Sequence, residues 1–283
     1  MWNGNEATVM TLADFGTQVL AERSVLRVTG PEARQFLHGL LTCDVEAMAN
    51  GGACYGGLLT PQGKILFDMF VKDTAEALLI DCAASQKAEL LKRLAMYKLR
   101  AKVMIAEAND LAVAVSGSEI SGGFPDPRTP TLGWRAFVLQ DSVSAGTGYH
   151  AARIAAGVAD TDADLGSGAF FPHEANFDQF GAVSFSKGCY IGQEVVSRME
   201  HRGTARARML PVACDGVAPP KGSDIRSGDK SIGTMLGSDG DIGLAQIRLD
   251  RLADAGAPLL SEGVSMTVQK PSFARYDVPN AKD

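Results

Sequence analysis

KGCYIGQEVVSRMEHRGTARARMLPVAC, residues 187–214, carries both a candidate site and the change of pattern that sets the fold. Its first eight residues place the Lys187 ammonium two positions from the Cys189 thiol, with Gly188 and Gly192 close by. A helix-like stretch follows, with Val195, Val196 and Met199 on one side and Glu194 four residues before Arg198. A cysteine beside a cation and ahead of a helix N-terminus is expected to lose its proton more easily than an ordinary thiol. The glycines would let backbone N–H groups approach a ligand closely. The competing reading is a tight loop around a small buried cysteine. Lys187, the two glycines, Gln193-Glu194 and the basic run behind them favour a site.

After Gly203 the texture changes from helical periodicity to alternation, as in TARARMLPVAC. SIGTML and IGLAQIRL flank Gly237-Ser238-Asp239-Gly240, and Leu259–Gln269 gives a further strand around Gly263. This predicts an all-β module built mainly of hairpins. Upstream the order is mixed. A strand at 24–30 ends at Gly30, and Pro31 opens a helix that turns Phe36, Leu37, Leu40 and Leu41 inward. Strands at 53–60 and 64–71 surround the turn Pro61-Gln62-Gly63, and 76–82 adds a third. Residues 85–99 read as a helix with Ser85 as N-cap. Strands at 102–107, 110–116 and 132–140 and a helix near 145–156 complete an α+β portion.

The chain has 283 residues, of which 46% are hydrophobic and 21% charged, so it has material for about two domains and ample core. Its net charge of −6 does not advertise nucleic-acid binding. The start, MWNGNEATVM, lacks the basic and apolar regions of a secretory signal. No apolar run is long enough for a membrane helix. Five cysteines at 43, 54, 82, 189 and 214, without a CxxC pair, fit a reduced compartment and predict a cytoplasmic protein. Neither a structural zinc site nor another metal site is expected, because the four histidines (38, 150, 173 and 201) lack metal-ligand spacing. Gly57 to Lys64 fails as a phosphate loop, since its glycines are one residue too far apart and Ile65 replaces the hydroxyl residue. Asp160, Asp162 and Asp164 fail as a calcium loop and read as a solvated acidic loop.

Lys187, Arg198, Arg202, Arg206 and Arg208 outnumber Glu194 and Glu200, which makes a positive island on an acidic chain. Arg202, Arg206 and Arg208 share parity, so an extended chain would present them together. Three readings compete: a solvated strand edge, arginine forks for the carboxylates of a folate tail, or an RNA backbone contact. No aromatic lies between 191 and 208, which weakens the RNA reading.

Lys187-Gly188-Cys189-Tyr190-Ile191-Gly192-Gln193-Glu194 resembles the hallmark of the YgfZ family of folate-binding proteins, relatives of the glycine-cleavage T-protein aminomethyltransferases. Residues 23–45, 55–71, 97–103 and 171–194 resemble the family more diffusely, so the likeness covers most of the chain. It implies an α+β, T-protein-like fold, with two interwoven α+β segments forming a ring with a C-terminal β-barrel. The implied segments are 1–50 with 109–200 as the folate-binding region, 51–108 as the second α+β segment, and 201–283 as the barrel. The implied cofactor is tetrahydrofolate or a derivative.

By position, the family's folate contacts fall near Arg23, which is not aromatic, and at Tyr149, which reads equally as a core aromatic. Cys189 is the candidate reactive centre and Lys187 its electrostatic activator. Gly188, Tyr190, Gln193, Glu194, Arg198 and Arg202 are the remaining candidate cofactor contacts. The aminomethyltransferases have adjacent aspartates where this chain has Phe67-Asp68, and a pterin-gripping glutamate where it has Ala155. Both losses remove carboxylates that aminomethyl transfer needs for proton handling and ring orientation.

The resemblance therefore implies a folate-binding accessory protein that supports iron–sulfur cluster assembly or repair and tRNA-modifying enzymes. Its partners would be reduced folate and iron–sulfur enzymes or their assembly machinery, with tRNA involved indirectly. The alternative is a tetrahydrofolate-dependent one-carbon transferase. A purely structural scaffold is a third class, in which Cys189 is dispensable.

Overall fold

A computed structural model describes residues 15–142, 146–203 and 205–281. The N-terminal stretch read for a signal, the first residue of the helix expected at 145–156, and Thr204 lie outside these.

Strand β1 (Gln18–Val19) precedes β2 (Arg23–Thr29), β3 (Ala53–Leu59), β4 (Ile65–Asp73), β5 (Leu78–Ala83) and β6 (Met104–Glu107). The last five form an antiparallel sheet in the order β3-β4-β5-β2-β6. The strand at 23–29 thus pairs with the segment 51–108 rather than with 109–200. The sheet's central strands β4 and β5 are buried on both faces, with successive residues pointing to opposite sides. Tyr55 and Phe70 enter one core, and Met69 and Val71 enter the other.

Helices α1 (Ala33–His38) and α2 (Lys87–Lys98) cover the second face. In α2 it is Leu90 and Leu94, four residues apart, that are buried. Each contributes roughly 1.5–3 kcal/mol by leaving water. The helix stops at Leu99, where φ is 42° and the side chain lies in solvent. Ser85 does not cap it; its hydroxyl donates to Asp162 Oδ1 instead.

A second sheet joins β1 to β7 (Leu111–Ser116), β8 (Phe124–Pro125) and β9 (Trp134–Leu139) in the order β1-β7-β9-β8. Helix α3 (Tyr149–Ala155) follows, then one π-helical turn at Thr161–Leu165. Helix α4 (Gln193–Arg202) ends at Gly203, whose φ of 56° breaks the helix.

The alternating remainder closes into a barrel of β10 (Ala207–Cys214), β11 (Asp224–Ser227), β12 (Lys230–Asp239), β13 (Ile242–Arg248), β14 (Leu259–Ser261) and β15 (Val264–Val268), with α5 (Leu249–Ala253) after β13. Strand β12 runs on through Gly237, so the expected four-residue turn narrows to Gly240-Asp241. The barrel has its own core, including Leu210, Ile225, Met235 and Ile247. Among the described residues, no helix is long and apolar enough to cross a membrane.

Candidate functional site

The loop 184–192 leads into α4 and is fixed at three points. The Lys187 ammonium donates to the carbonyl oxygens of His38 (2.5 Å), Leu41 (2.5 Å) and Cys43 (2.8 Å). The His38 carbonyl is the last of α1, and those of Leu41 and Cys43 belong to the segment that follows it; free carbonyls at a helix C-terminus are natural acceptors for a cation. The same ammonium lies 5.0 Å from the centroid of the Tyr190 ring. Burial pulls the lysine below its ordinary pKa, with Cys43 and Asp44 acting against that shift. Tyr190 is buried, its hydroxyl has no partner among the described residues, and burial raises its pKa to about 12.

The third point is backbone on backbone. Gly192 has a φ of 80°, and a Cβ there would fall 2.6 Å from the Thr60 oxygen and 2.9 Å from Gly63 Cα. The turn Pro61-Gln62-Gly63 therefore docks on the start of α4, and Val195 closes over Gly63. Gly192 serves this packing rather than a ligand. Gly188 is different: a Cβ there would meet nothing within 4 Å. Between the two anchors, Lys187 and Tyr190, the Cys189 thiol is exposed. Of the five cysteines, all of them described, it alone is exposed. The partners of Lys187 are the carbonyls and the Tyr190 ring, and the thiol beside that cradle is Cys43.

The other residues read from the sequence spread apart. Gln193 is half-buried at the start of α4, while Glu194 and Arg198 form an exposed ion pair at 2.6 Å. Such a pair contributes little to stability. Arg202 and Arg206 are exposed, but Arg208 turns inward to Asp178 (2.6 Å) and the His173 carbonyl. The three do not share a face, because the helix end at Gly203 separates Arg202 from β10.

Arg23 and Tyr149 belong to one buried network at the junction of the two sheets. Arg23 Nε donates to Asp81 Oδ1 at 2.6 Å, and Arg135 Nη1 to Asp81 Oδ2 at 2.5 Å. The Tyr149 hydroxyl accepts from Arg128 (2.6 Å) and Arg135 (2.7 Å). Asp126 and Asp160 hold Arg128, and Asp160 and Asp164 hold Arg153. Arg135 and Arg128 stack over Phe70, at 3.9 and 4.7 Å from its centroid. Burial opposes ionisation of Asp126 and Asp160, yet the arginines outweigh it and hold both below the usual carboxylate range. Tyr149 packs edge-on to Phe15 and is internal, so it offers no wall to a pterin. Arg23 is buried and committed to Asp81 through Nε and Nη2, and neither fits as a folate contact. Asp160 and Asp164 serve this network, which corrects the solvated-loop reading.

The described residues offer a different place for a flat ligand. A cleft of about 670 Å³ is lined by Thr129, Thr131, Gln179, Phe180, Phe273 and Arg275. Phe180 and Phe273 meet edge to face at 4.7 Å, and Arg275 is exposed.

Comparison with known proteins bears on fold and family. Residues 206–276 match the family model of the CAF17 C-terminal beta-barrel domain. The chain is 31% identical to the mouse iron-sulfur cluster assembly factor IBA57, mitochondrial, over 81% of this chain and 76% of that protein. The human protein of the same name is 30% identical, over 87% and 81%. A Neurospora crassa homolog is 28% identical, over 89% and 74%. Among solved structures, glycine cleavage system aminomethyltransferase T from Bartonella henselae matches with a TM-score of 0.75 at 15% identity, covering 96% of this chain and 89% of that one. The fold is therefore the T-protein-like α+β architecture with a C-terminal barrel that the resemblance implied. The relatives are named IBA57 rather than YgfZ itself. They are mitochondrial, which overturns the cytoplasmic expectation drawn from the cysteine count.

Proposed function

The chain belongs to the IBA57 family of iron–sulfur cluster assembly factors, which is related to YgfZ, and we propose that it supports cluster assembly by presenting Cys189 to a cluster held largely by a partner. The observation that carries this is the lone exposed thiol on a loop locked at Lys187 and Gly192. Iron–sulfur clusters are typically held by about four cysteine thiolates. With one exposed cysteine, this chain supplies one ligand and the assembly machinery supplies the rest. A rigid mount suits that task, because a ligand held in place loses little entropy on binding. Lys187 then acts as a positioning residue through the loop. The test is rescue of iron–sulfur enzyme activity in cells lacking the protein. Cys189→Ala is expected to abolish rescue while leaving the melting temperature unchanged, and full rescue by that variant would refute the reading.

A separate observation, the cleft beside Phe180 and Phe273, supports reduced folate as a ligand. Its volume suits a ring system, its aromatic edges give a flat ligand an apolar contact, and Arg275 suits the carboxylates of the glutamate tail. Tetrahydrofolate would bring one-carbon chemistry to this cleft. Calorimetry with tetrahydrofolate tests the proposal, with Phe273→Ala expected to weaken binding several-fold. Equal binding by that variant removes the cleft, and no heat with any reduced folate removes the ligand.

The transferase alternative is disfavoured by Asp68, the aspartate that remains beside Phe67. It is 1% exposed, and its oxygens accept from the Tyr55 hydroxyl (3.0 Å) and the Thr161 N–H (3.2 Å). The extension to tRNA-thiolating client enzymes rests on the relation to YgfZ, and thiolated-nucleoside levels in the same deletion cells test it.

A further inference from the structure

Cys43 and Cys54 are brought together by a feature of strand β3. The chain at Cys43 lies against β3, where a Cβ on Gly56 would fall 2.7 Å from Cys43 Sγ and 3.0 Å from its nitrogen. The missing side chain at Gly56 admits Cys43, and two residues earlier on the same strand stands Cys54. The Cys54 thiol donates to Cys43 Sγ at 3.3 Å. A cleft of about 670 Å³ is lined by both cysteines together with Asp44, Val183, Ser184 and Phe185; Cys54 is half-buried there and Cys43 lies beneath it. Close by, the Cys43 carbonyl accepts from the Lys187 ammonium.

We propose that Cys43 and Cys54 form a thiol–disulfide exchange site that takes a low-molecular-weight disulfide of the glutathione class. The sulfurs are unbonded at 3.3 Å and must approach to about 2.05 Å to form the bridge. Cys43 is the attacking thiol. The hydrogen bond from Cys54, helped by the Lys187 charge, pulls its pKa below the ordinary cysteine value although burial opposes this. Cys54 is shifted upward as the donor and keeps its proton. The Cys43 thiolate attacks one sulfur of the small disulfide. That S–S bond breaks, and its electron pair leaves on the other sulfur as a thiolate. Cys54 gives its proton to that thiolate and attacks Cys43 Sγ, expelling the second small thiolate. The pair is oxidised by two electrons, and the small disulfide is reduced to one thiol and one thiolate, which takes its proton from solvent.

Independent of any role for Cys189, this site would tie the Lys187 carbonyl cradle to β3 under oxidising conditions. Incubation of the full-length protein with mixtures of reduced and oxidised glutathione, followed by alkylation and peptide mapping, tests it. The expected product is a Cys43–Cys54 bridge, with a separate glutathione adduct on Cys189 as internal control. Cys54→Ser should trap the adduct on Cys43. Gly56→Ala should slow bridging at least several-fold relative to the Cys189 adduct. If oxidised glutathione modifies Cys189 while Cys43 and Cys54 remain alkylatable, the proposal is wrong; an adduct on Cys54 without a bridge also overturns it. Mapping of the unmodified sequence decides the matter even if a variant fails to fold.

Discussion

Lys187, in the loop before α4, and Arg135, at the junction of the sheets, are both buried cations, but their partners differ in kind. Arg135 meets carboxylates: Asp81 and Asp126 lie within ion-pair distance, and the Tyr149 hydroxyl accepts a further bond. Lys187 meets carbonyl oxygens and an aromatic face. At the junction, charge is neutralised inside the fold and no reactive group emerges. At the loop, a cation held by neutral acceptors keeps its charge near Cys43 and fixes the chain that carries Cys189 outward. The first arrangement joins two sheets; the second mounts a thiol.

The largest effect that separates the two regions is expected at Asp81. Asp81→Ala leaves Arg23 and Arg135 without their shared carboxylate, and breaking a buried ion pair costs about 3–5 kcal/mol. Denaturant unfolding should show this loss, and a cost below about 1 kcal/mol would mean that water reaches the network. Next comes Lys187→Met. It removes three bonds from a charged donor and leaves acceptors unsatisfied, with a loss of about 2–3 kcal/mol. Hydrogen exchange should quicken at residues 38–43 while the barrel is untouched.

The octapeptide glycines sharpen the contrast on a smaller scale. Gly192→Ala meets a φ of 80° and the Thr60 oxygen, and should cost at least about 1–2 kcal/mol. Gly188→Ala projects into open space and should melt like the natural protein. Equal melting of the two variants would remove the docking role given to Gly192.

The mildest effect is that of acid. Asp126 and Asp160 sit below their ordinary pKa in the fold, so they contribute stability above the unfolded carboxylate pKa of about 3.9 and lose it as pH falls through their folded values. Asp164 is raised by burial, and its protonation offsets part of that loss. From this network, stability should not fall between pH 7 and about 5, Asp164 adding to it as it protonates, and should fall only below about pH 4, as read by unfolding at fixed ionic strength. A decline beginning near pH 6 would implicate other groups.

Much of the fold was legible because its signals are local. The turn Pro61-Gln62-Gly63, the inward stripe of Phe36 and Leu37, and the alternation after Gly203 each lie within one element. The octapeptide marked the right loop, but the partners of its residues could not be read from it. Lys187 reaches carbonyls 144 to 149 residues away. The ion pairs of Asp81 span 54 and 58 residues. Nothing in local spacing distinguishes such an aspartate from a solvated one, which is why Asp160 and Asp164 read as a solvated loop; Tyr149 and Arg23 read as ligand contacts by their position in the resemblance. The pairing of Cys43 with Cys54 had one readable cue, the glycine at 56, whose meaning depends on what lies against it.

The most direct measurement of the central claim is an anaerobic titration of the chain into an assembly-scaffold protein carrying an iron–sulfur cluster, followed by visible circular dichroism. The natural sequence should change the cluster spectrum and saturate at one chain per cluster, and Cys189→Ala should leave the spectrum as it was. The same spectral change and saturation with Cys189→Ala would contradict the account.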